Sequence, residues 1–145
     1  MATARAVAEQ AYAAMQAGDI DALTKLCSPD CELYDIGLTL RGPGEIGRYL
    51  QTYFVAFPDM RVEVLRLLDA GTSVAAEVRF TGTQTGPLAT PNGEVPAAGR
   101  KMDMPAVDFM TVENGQITTW RVYIDTMEFM RQLGLMPEPA QAASV

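Results

Sequence analysis

The chain has 145 residues, which is enough for one domain with a sizeable hydrophobic core. Its net charge of -7, its scattered positive charges and the lack of a long apolar run argue against nucleic acid or a membrane as a partner. It contains no histidine, which excludes Ser-His-Asp and Cys-His catalysis and removes the commonest zinc ligand. Any acid-base chemistry must therefore use carboxylates, tyrosines or lysines.

The first 36 residues are predicted to form two helices and a strand. Apolar spacing predicts an Ala-rich helix over residues 2–17, and a second short helix opens at Asp19 and ends at Pro29. Residues 31–36 read as a strand, because apolar and polar side chains alternate there. Asp35 then shares a strand face with apolar neighbours.

The two cysteines, Cys27 and Cys31, flank a short Ser-Pro-Asp segment. A metal site would need further ligands, and a disulfide would need an oxidising compartment, so free and mostly buried thiols are expected. The N-terminus shows no basic region followed by an apolar core and a cleavage site. We therefore expect no signal peptide and a cytoplasmic protein.

The next stretch, Gly42 to Gly47, formally matches the dinucleotide-binding fingerprint. The match depends on spacing alone, and the βαβαβ alternation of such domains does not follow it, so we reject it. We interpret the stretch as a loop and the start of a helix that ends at Pro58. Tyr49 and Tyr53 lie on the apolar face of that helix.

Most of the remaining chain is predicted to be strand. Residues 60–68 and 73–81 flank a turn, and residues 83–101 are rich in Pro and Gly, which indicates a loop or a frayed hairpin tip. Residues 125–128 have the form of a capping box and open a final short helix. We interpret Asp125 as the cap of that helix rather than as a catalytic group.

The segment Glu113-Asn114-Gly115 is predicted to be the turn of a central hairpin. Asp108 is the one carboxyl on the apolar face of the first arm. A three-residue loop would set it opposite Trp120, where desolvation raises its pKa, whereas a two-residue loop would set it opposite Arg121, where its pKa falls. The three-residue loop is preferred, because the alternative mixes Arg121 into the apolar face.

Three helices, a long antiparallel meander and a closing helix define an α+β domain. Residues 1–136 are expected to form this single domain and residues 137–145 a disordered tail. A strongly twisted sheet wrapped around helices leaves an apolar concavity, which suits a small apolar molecule.

Several segments resemble known families. Residues 80–88, 112–117 and 131–134 resemble the SnoaL-like polyketide cyclases and ester cyclases of the nuclear transport factor 2-like fold. Residues 117–125 look like the last strand of limonene epoxide hydrolase, and residues 17–21 and 30–35 look like parts of ketosteroid isomerase. The resemblance implies a cone-shaped α+β barrel, also called cystatin-like, in which three N-terminal helices pack in a curved antiparallel sheet with a short C-terminal helix.

The resemblance also implies roles for particular residues. The proton-moving carboxylate of ketosteroid isomerase would fall on Asp35, and its protonated carboxyl, which hydrogen-bonds the enolate oxygen, would fall on Asp108. The isomerase's tyrosine donor would fall on Ala11, and Tyr12 lies about 100° around the helix from that position. The main acid-base aspartate of the cyclases and of the epoxide hydrolase would fall on Val122.

We therefore expect an enzyme that carries out isomerisation or intramolecular aldol cyclisation on an apolar carbonyl compound, with Asp35 and Asp108 as catalytic groups. No cofactor and no metal are expected. The side chains expected to contact the substrate are Tyr49, Tyr53, Met15, Trp120, Val122 and Met110. The alternatives are a non-catalytic ligand-binding or dimerisation module of the same fold and, third, an epoxide hydrolase-like enzyme.

The outer face of the sheet is expected to carry semi-exposed apolar residues, namely Val107, Phe109 and Tyr123. Such residues need cover, so the sequence predicts a homodimer.

Overall fold

The computed structural model describes residues 1–136. The predicted tail, 137–145, lies outside the described residues. In chain order the described part contains α1 (Ala4–Ala17), α2 (Ile20–Thr24), β1 (Cys27–Asp35), β2 (Leu38–Arg41), α3 (Gly42–Ala56), β3 (Arg61–Asp69), β4 (Ser73–Thr83), β5 (Leu88–Thr90), β6 (Gly93–Val95), β7 (Lys101–Glu113), β8 (Gln116–Ile124) and α4 (Thr126–Gln132).

Six strands form one curved sheet in the order β2-β1-β8-β7-β4-β3. The predicted α+β class with a curved sheet is confirmed, but the sheet is open, with β2 and β3 at its edges, and is not a closed barrel. The antiparallel prediction needs one correction, since β1 and β8 pair in parallel. These two strands are far apart in the sequence, so no hairpin turn forces them to run in opposite directions.

The first strand starts earlier than the alternation predicts. It runs from Cys27 and includes Pro29, which was expected to end α2; that helix instead ends at Thr24. The pairing of β1 with β8 is irregular between Cys27 and Glu32. Proline has no N–H to donate to the ladder, so it is accommodated where the pairing is interrupted. Both cysteines of this strand are free and buried, as predicted.

The hairpin of β7 and β8 corrects the predicted loop. The turn has two residues, Asn114 and Gly115, because Glu113 pairs with Gln116, and both turn residues have positive φ. The register then shifts by one residue between Thr111 and Val112. Asp108 consequently lies opposite Val122, and neither Trp120 nor Arg121 is its direct partner. The shift keeps the apolar sets of both strands on one face, which the alternation predicted.

The helices cover the inner face of the sheet. Helix α1 packs against β3, β4, β7 and β8, while α3 packs against β1 and α4 against β7. The side chain of Asp125 accepts a hydrogen bond from the backbone N–H of Glu128 at 3.0 Å, which confirms its predicted role as the cap of α4. Within residues 1–136, no helix has the length and hydropathy needed to cross a membrane.

Residues 83–101, predicted to be a loop or a frayed hairpin tip, contain a small hairpin of β5 with β6. It is held to the domain by Gln84, which is fully buried and donates from its amide to the carbonyls of Val95 and Pro96. Gly86 lies against the C-terminal end of α3, where a Cβ atom would collide with the carbonyl oxygen of Val55. This segment therefore covers one end of the helix layer. Its buried side chain joins a second hydrophobic cluster, which lies beside the main core.

Candidate active site

An apolar cavity of about 70 Å³ lies between the sheet and helices α1, α3 and α4. This volume holds several water molecules and is small for a polycyclic ligand, although flexible methionines contribute to its wall. Two carboxyl groups interrupt the apolar lining. The lining residues are Met15, Leu33, Asp35, Ile36, Leu50, Tyr53, Met60, Phe80, Met102, Met104, Asp108, Trp120, Val122, Ile124 and Phe129.

The first carboxyl group belongs to Asp108, in the middle of β7. Its side chain is 0% exposed and lies between Ala76 of β4 and Val122 of β8. The hydroxyl of Tyr12 donates a hydrogen bond to its Oδ2 atom at 2.7 Å, and the indole N–H of Trp120 donates to the same atom at 3.3 Å. The Oδ1 atom has no hydrogen-bond partner among the described residues.

Burial raises the pKa of Asp108 from its ordinary 3.8 to about 7, because the charged form loses its hydration. The hydrogen bonds from Tyr12 and Trp120 act in the opposite direction, since they stabilise the carboxylate, and the nearby charge of Asp35 raises the pKa further. Asp108 is therefore largely a neutral acid below pH 7. The sequence analysis predicted a neutral Asp108 because a three-residue loop would place it directly opposite Trp120. In the structure the two residues are not direct strand partners, and their side chains meet because they lie on the same face of the sheet.

The second carboxyl group belongs to Asp35, the last residue of β1, which is half-buried. Tyr49 of α3 donates a hydrogen bond to its Oδ2 atom at 2.8 Å, and the hydroxyls of Tyr49 and Tyr53 lie 3.0 Å apart. Burial raises the pKa of Asp35 to about 6, while the hydrogen bond from Tyr49 lowers it. Its Oδ1 atom is buried and has no partner within residues 1–136.

The two acids thus share part of their hydrogen-bond arrangement. Each receives a tyrosine hydroxyl on Oδ2 and keeps Oδ1 unpartnered, and both side chains line one cavity. None of the lining residues is a lysine or an arginine. A buried polar atom without a partner costs roughly 1–3 kcal/mol, so a ligand that supplies partners to both Oδ1 atoms would be stabilised there.

The structure brings six of the eight predicted site residues to the cavity wall, and two lie elsewhere. Those on the wall are Asp35, Asp108, Tyr53, Met15, Trp120 and Val122. Tyr49 stands behind the wall, where it holds Asp35, and Met110 is buried in the main core with 1% of its surface exposed. Met110 lies opposite Trp120 on β8 and supports that side chain from the strand beside it.

Tyr12 is the important residue that sequence reasoning missed. Its side chain is 4% exposed, and its ring packs edge-on against Trp120 with ring centroids 6.3 Å apart. Burial and the neighbouring Asp108 raise the pKa of Tyr12, so its hydroxyl stays protonated. Helical spacing held a signal, since Tyr12 lies four residues after Ala8 and three before Met15, both of which are buried.

Together, an open curved sheet and a layer of helices across it define a domain with the ketosteroid isomerase-like fold, and its apolar cavity carries two carboxyl groups. Residues 6–133 match the family model described as SnoaL-like polyketide cyclase. The chain therefore belongs to the SnoaL-like polyketide cyclase family, as its sequence segments suggested.

Solved structures agree on the fold. A protein from Jannaschia sp. CCS1, named as a candidate SnoaL-like polyketide cyclase, is 23% identical, with a TM-score of 0.79 over 90% of this chain and 91% of that one. A Catenulispora acidiphila protein with a ketosteroid isomerase-like fold, in complex with trimethylamine, is 20% identical, with a TM-score of 0.74 over 90% and 93%. An LEH-like epoxide hydrolase of M. tuberculosis is 19% identical, with a TM-score of 0.67 over 88% and 86%. No curated protein matches the chain.

Proposed function

We propose that this protein catalyses a cofactor-independent isomerisation or intramolecular aldol cyclisation of an apolar carbonyl compound. The observation that carries the proposal is that Asp35 and Asp108 line the same apolar cavity in unequal surroundings. General acid-base catalysis works best when the pKa values of the two groups lie near the working pH. Values of about 6 for Asp35 and about 7 for Asp108 meet this condition.

In the proposed first step, the Asp35 carboxylate takes a proton from the carbon next to the substrate carbonyl. The electrons of the broken C–H bond form an enolate, and neutral Asp108 donates a hydrogen bond to the enolate oxygen. In an isomerisation, Asp35 returns the proton to a different carbon of a conjugated enolate. In an aldol cyclisation, the enolate carbon forms a C–C bond with a second carbonyl carbon, and the new alkoxide takes the proton from Asp35. Both outcomes restore the Asp35 carboxylate.

Proton abstraction can be tested with simple compounds. The protein is incubated in D₂O with small cyclic ketones, and NMR follows the loss of the signal from the hydrogens next to the carbonyl; ultraviolet absorbance follows conversion of a β,γ-unsaturated ketone to its conjugated isomer. Asp35→Asn and Asp108→Asn should each lower the rate by roughly a hundred- to ten-thousand-fold. Glu113→Gln is the matched control, because Glu113 is an exposed acid on the same strand as Asp108. Rates within a few fold of the unmodified protein in both Asp variants would refute the assignment.

A ligand-binding module without catalysis is the second candidate, and Val122 favours it. This apolar side chain lies directly opposite Asp108, at the position where the resemblance places a catalytic aspartate. A binding module would take up an apolar ketone, with a change in the fluorescence of Trp120, the only tryptophan of the chain, and would show no exchange above buffer. Epoxide hydrolysis ranks third, since it would rely on the same missing aspartate.

We also propose that the protein forms a homodimer through the outer face of the sheet. Val107, Phe109 and Tyr123 are 38%, 46% and 45% exposed on this face, and the rings of Phe109 and Tyr123 pack edge-on with centroids 6.1 Å apart. Adjacent exposed aromatic and aliphatic side chains on a sheet face gain free energy when a second copy covers them.

A further inference from the structure

We infer that Tyr12 and Trp120 are positioning residues that fix the proton of neutral Asp108 on Oδ1, the oxygen that is left for a bound ligand. The inference rests on the proposed function for its catalytic meaning, but the hydrogen-bond arrangement stands by itself. It concerns which oxygen of the acid carries the proton, and therefore what kind of group the cavity recognises.

The geometry assigns the two oxygens different tasks. An indole N–H can only donate a hydrogen bond, so the 3.3 Å contact from Trp120 requires Oδ2 to act as an acceptor. The Tyr12 hydroxyl lies 2.7 Å from the same atom, and Asp108 is its only hydrogen-bond partner among the described residues. Two donors on one oxygen favour its carbonyl form, because the carbonyl oxygen of a carboxylic acid is a stronger hydrogen-bond acceptor than its hydroxyl oxygen.

The proton of the neutral acid then belongs to Oδ1. This atom is buried and has no partner within residues 1–136, while the side chain that carries it lines the cavity. A buried O–H without an acceptor is costly, so a ligand that brings an oxygen acceptor to this point removes the cost. The cavity should therefore prefer compounds with a carbonyl oxygen next to Asp108 over hydrocarbons of the same shape.

Helix α1 presents Tyr12, strand β8 presents Trp120 and Val122, and strand β4 presents Ala76. The other titratable group that acts on Asp108 is Asp35, whose charge raises its pKa. The hydrogen bonds from Tyr12 and Trp120 are thus the two contacts that favour the carboxylate form of this acid.

The direction of the pKa change in Tyr12→Phe tests the inference, because the fluorescence of Trp120 can report the ionisation of its partner Asp108. If Tyr12 donates to Oδ2, its loss weakens the carboxylate more than the acid, and the midpoint of the fluorescence titration should rise by roughly one pH unit, a tenfold change in the dissociation constant. A carboxylate accepts from Tyr12 wherever the proton of the neutral acid sits, so the oxygen that carries this proton is identified from the C=O stretch of the neutral acid, recorded by infrared spectroscopy below the midpoint. With the proton on Oδ1, Tyr12 binds the carbonyl oxygen and Tyr12→Phe should raise the C=O frequency. With the proton on Oδ2, the carbonyl oxygen is Oδ1, which has no partner in the described part of the chain, and the frequency should not move. An unmoved C=O frequency, or a midpoint that falls or stays in place, would overturn the inference.

Two controls accompany this titration. Asp108→Asn should abolish the transition, which assigns it to Asp108. Tyr49→Phe removes the equivalent donor from Asp35 and should leave the Trp120 midpoint nearly in place. Phenylalanine keeps the buried ring of Tyr12, and circular dichroism checks that each variant is folded.

A second variant covers the case in which Tyr12→Phe does not fold. In Trp120→Phe, the ionisation of Asp108 is followed by the ¹³Cγ chemical shift of labelled aspartate, assigned by comparison with Asp108→Asn. The midpoint and the C=O frequency of the neutral acid should again rise, by smaller amounts because the bond from Trp120 is longer, and an unchanged frequency or an unchanged or lowered midpoint would contradict the inference. These titrations use no substrate. If the variants do not change the Asp108 midpoint while the protein still exchanges ketone protons, the positioning role is wrong and the proposed function stands. If the midpoint changes but the protein exchanges no ketone protons, the proposed function is wrong and the positioning role stands.

Discussion

Asp108→Asn is expected to flatten the pH dependence of stability, so that the variant gains stability relative to the unmodified protein as the pH rises to about 8. The native state keeps a proton on Asp108 up to about pH 7, whereas the unfolded chain releases it near 3.8. Between these values the native state binds more protons than the unfolded state, so the free energy of unfolding falls as pH rises. The stability that protonated Asp108 contributes is fully present below about pH 4 and is lost as the pH rises to about 7; above that pH the contribution of Asp108 no longer changes.

The magnitude follows from the two pKa values. A rise from 3.8 to about 7 corresponds to about 4 kcal/mol at roughly 1.4 kcal/mol for each pKa unit, and about 3 kcal/mol of this falls between pH 5 and pH 8. An asparagine at this position can accept from Tyr12 and Trp120 with its carbonyl and place its NH₂ where Oδ1 stands. It resembles the neutral acid and has no charged form. Any pH-independent effect of the amide on the free energy of unfolding cancels, because the comparison uses only the change of that free energy with pH.

Urea unfolding followed by circular dichroism at pH 5, 6, 7 and 8, at one protein concentration, measures this effect. The stability of Asp108→Asn relative to the unmodified protein should grow by about 3 kcal/mol across the range. Asp35 adds a second slope of the same sign that ends near pH 6 and is present in both proteins. Glu113→Gln, an exposed acid on the same strand, should run parallel to the unmodified protein. Parallel curves for Asp108→Asn would show that Asp108 ionises normally in the fold and would refute the reasoning.

Three further predictions concern other parts of the molecule. Tyr49→Phe removes a donor that lowers the pKa of Asp35, so the acidic limb of the proton-exchange rate should move to higher pH; an unmoved limb would exclude Asp35 as the base. Gly86→Ala should destabilise the protein by roughly 1–3 kcal/mol in urea unfolding, because its Cβ would meet the Val55 carbonyl, whereas Gly44→Ala meets only ordinary contacts and should not. Phe109→Glu should convert a dimer to a monomer in analytical ultracentrifugation, and an unmodified protein that is already monomeric at micromolar concentration would rule out the homodimer.

Strand alternation was enough to predict which side chains share the inner face. It placed Asp108 and Trp120 on one apolar face because side chains alternate with period two and the apolar residues of both arms fall at even positions. It could not predict the register. Asn114 and Gly115 both adopt positive φ, which favours the two-residue turn, and the pairing then shifts by one residue beside Thr111 to restore the faces. A two-residue turn followed by a one-residue bulge leaves the same side chains on the same face as a three-residue loop does, so the alternation in the sequence cannot distinguish the two.

The tyrosines were harder to predict than the acids. A lone carboxyl on an apolar strand face is visible in the sequence, and both Asp35 and Asp108 were found in this way. The partner of Asp108 is 96 residues away, on a helix whose angle across the sheet decides which side chain reaches it. Tyr12, one position from the tyrosine site expected by resemblance, reaches Asp108, while Ala11 packs in the core. Helical periodicity gives the buried face, but the contact across elements depends on tertiary packing.

Position within the strands explains why the two acids differ. Desolvation is the main cause of both raised pKa values, so the more buried group holds its proton to higher pH. Asp108 lies in the middle of a thirteen-residue strand and is 0% exposed, whereas Asp35 ends its strand beside the turn at Gly37 and is half-buried. Between about pH 6 and pH 7 the fold therefore keeps Asp35 as a carboxylate and Asp108 as an acid. Val122, directly opposite Asp108 on β8, is apolar and adds no charge, so burial is the largest of the effects that place the pKa of Asp108 above that of Asp35.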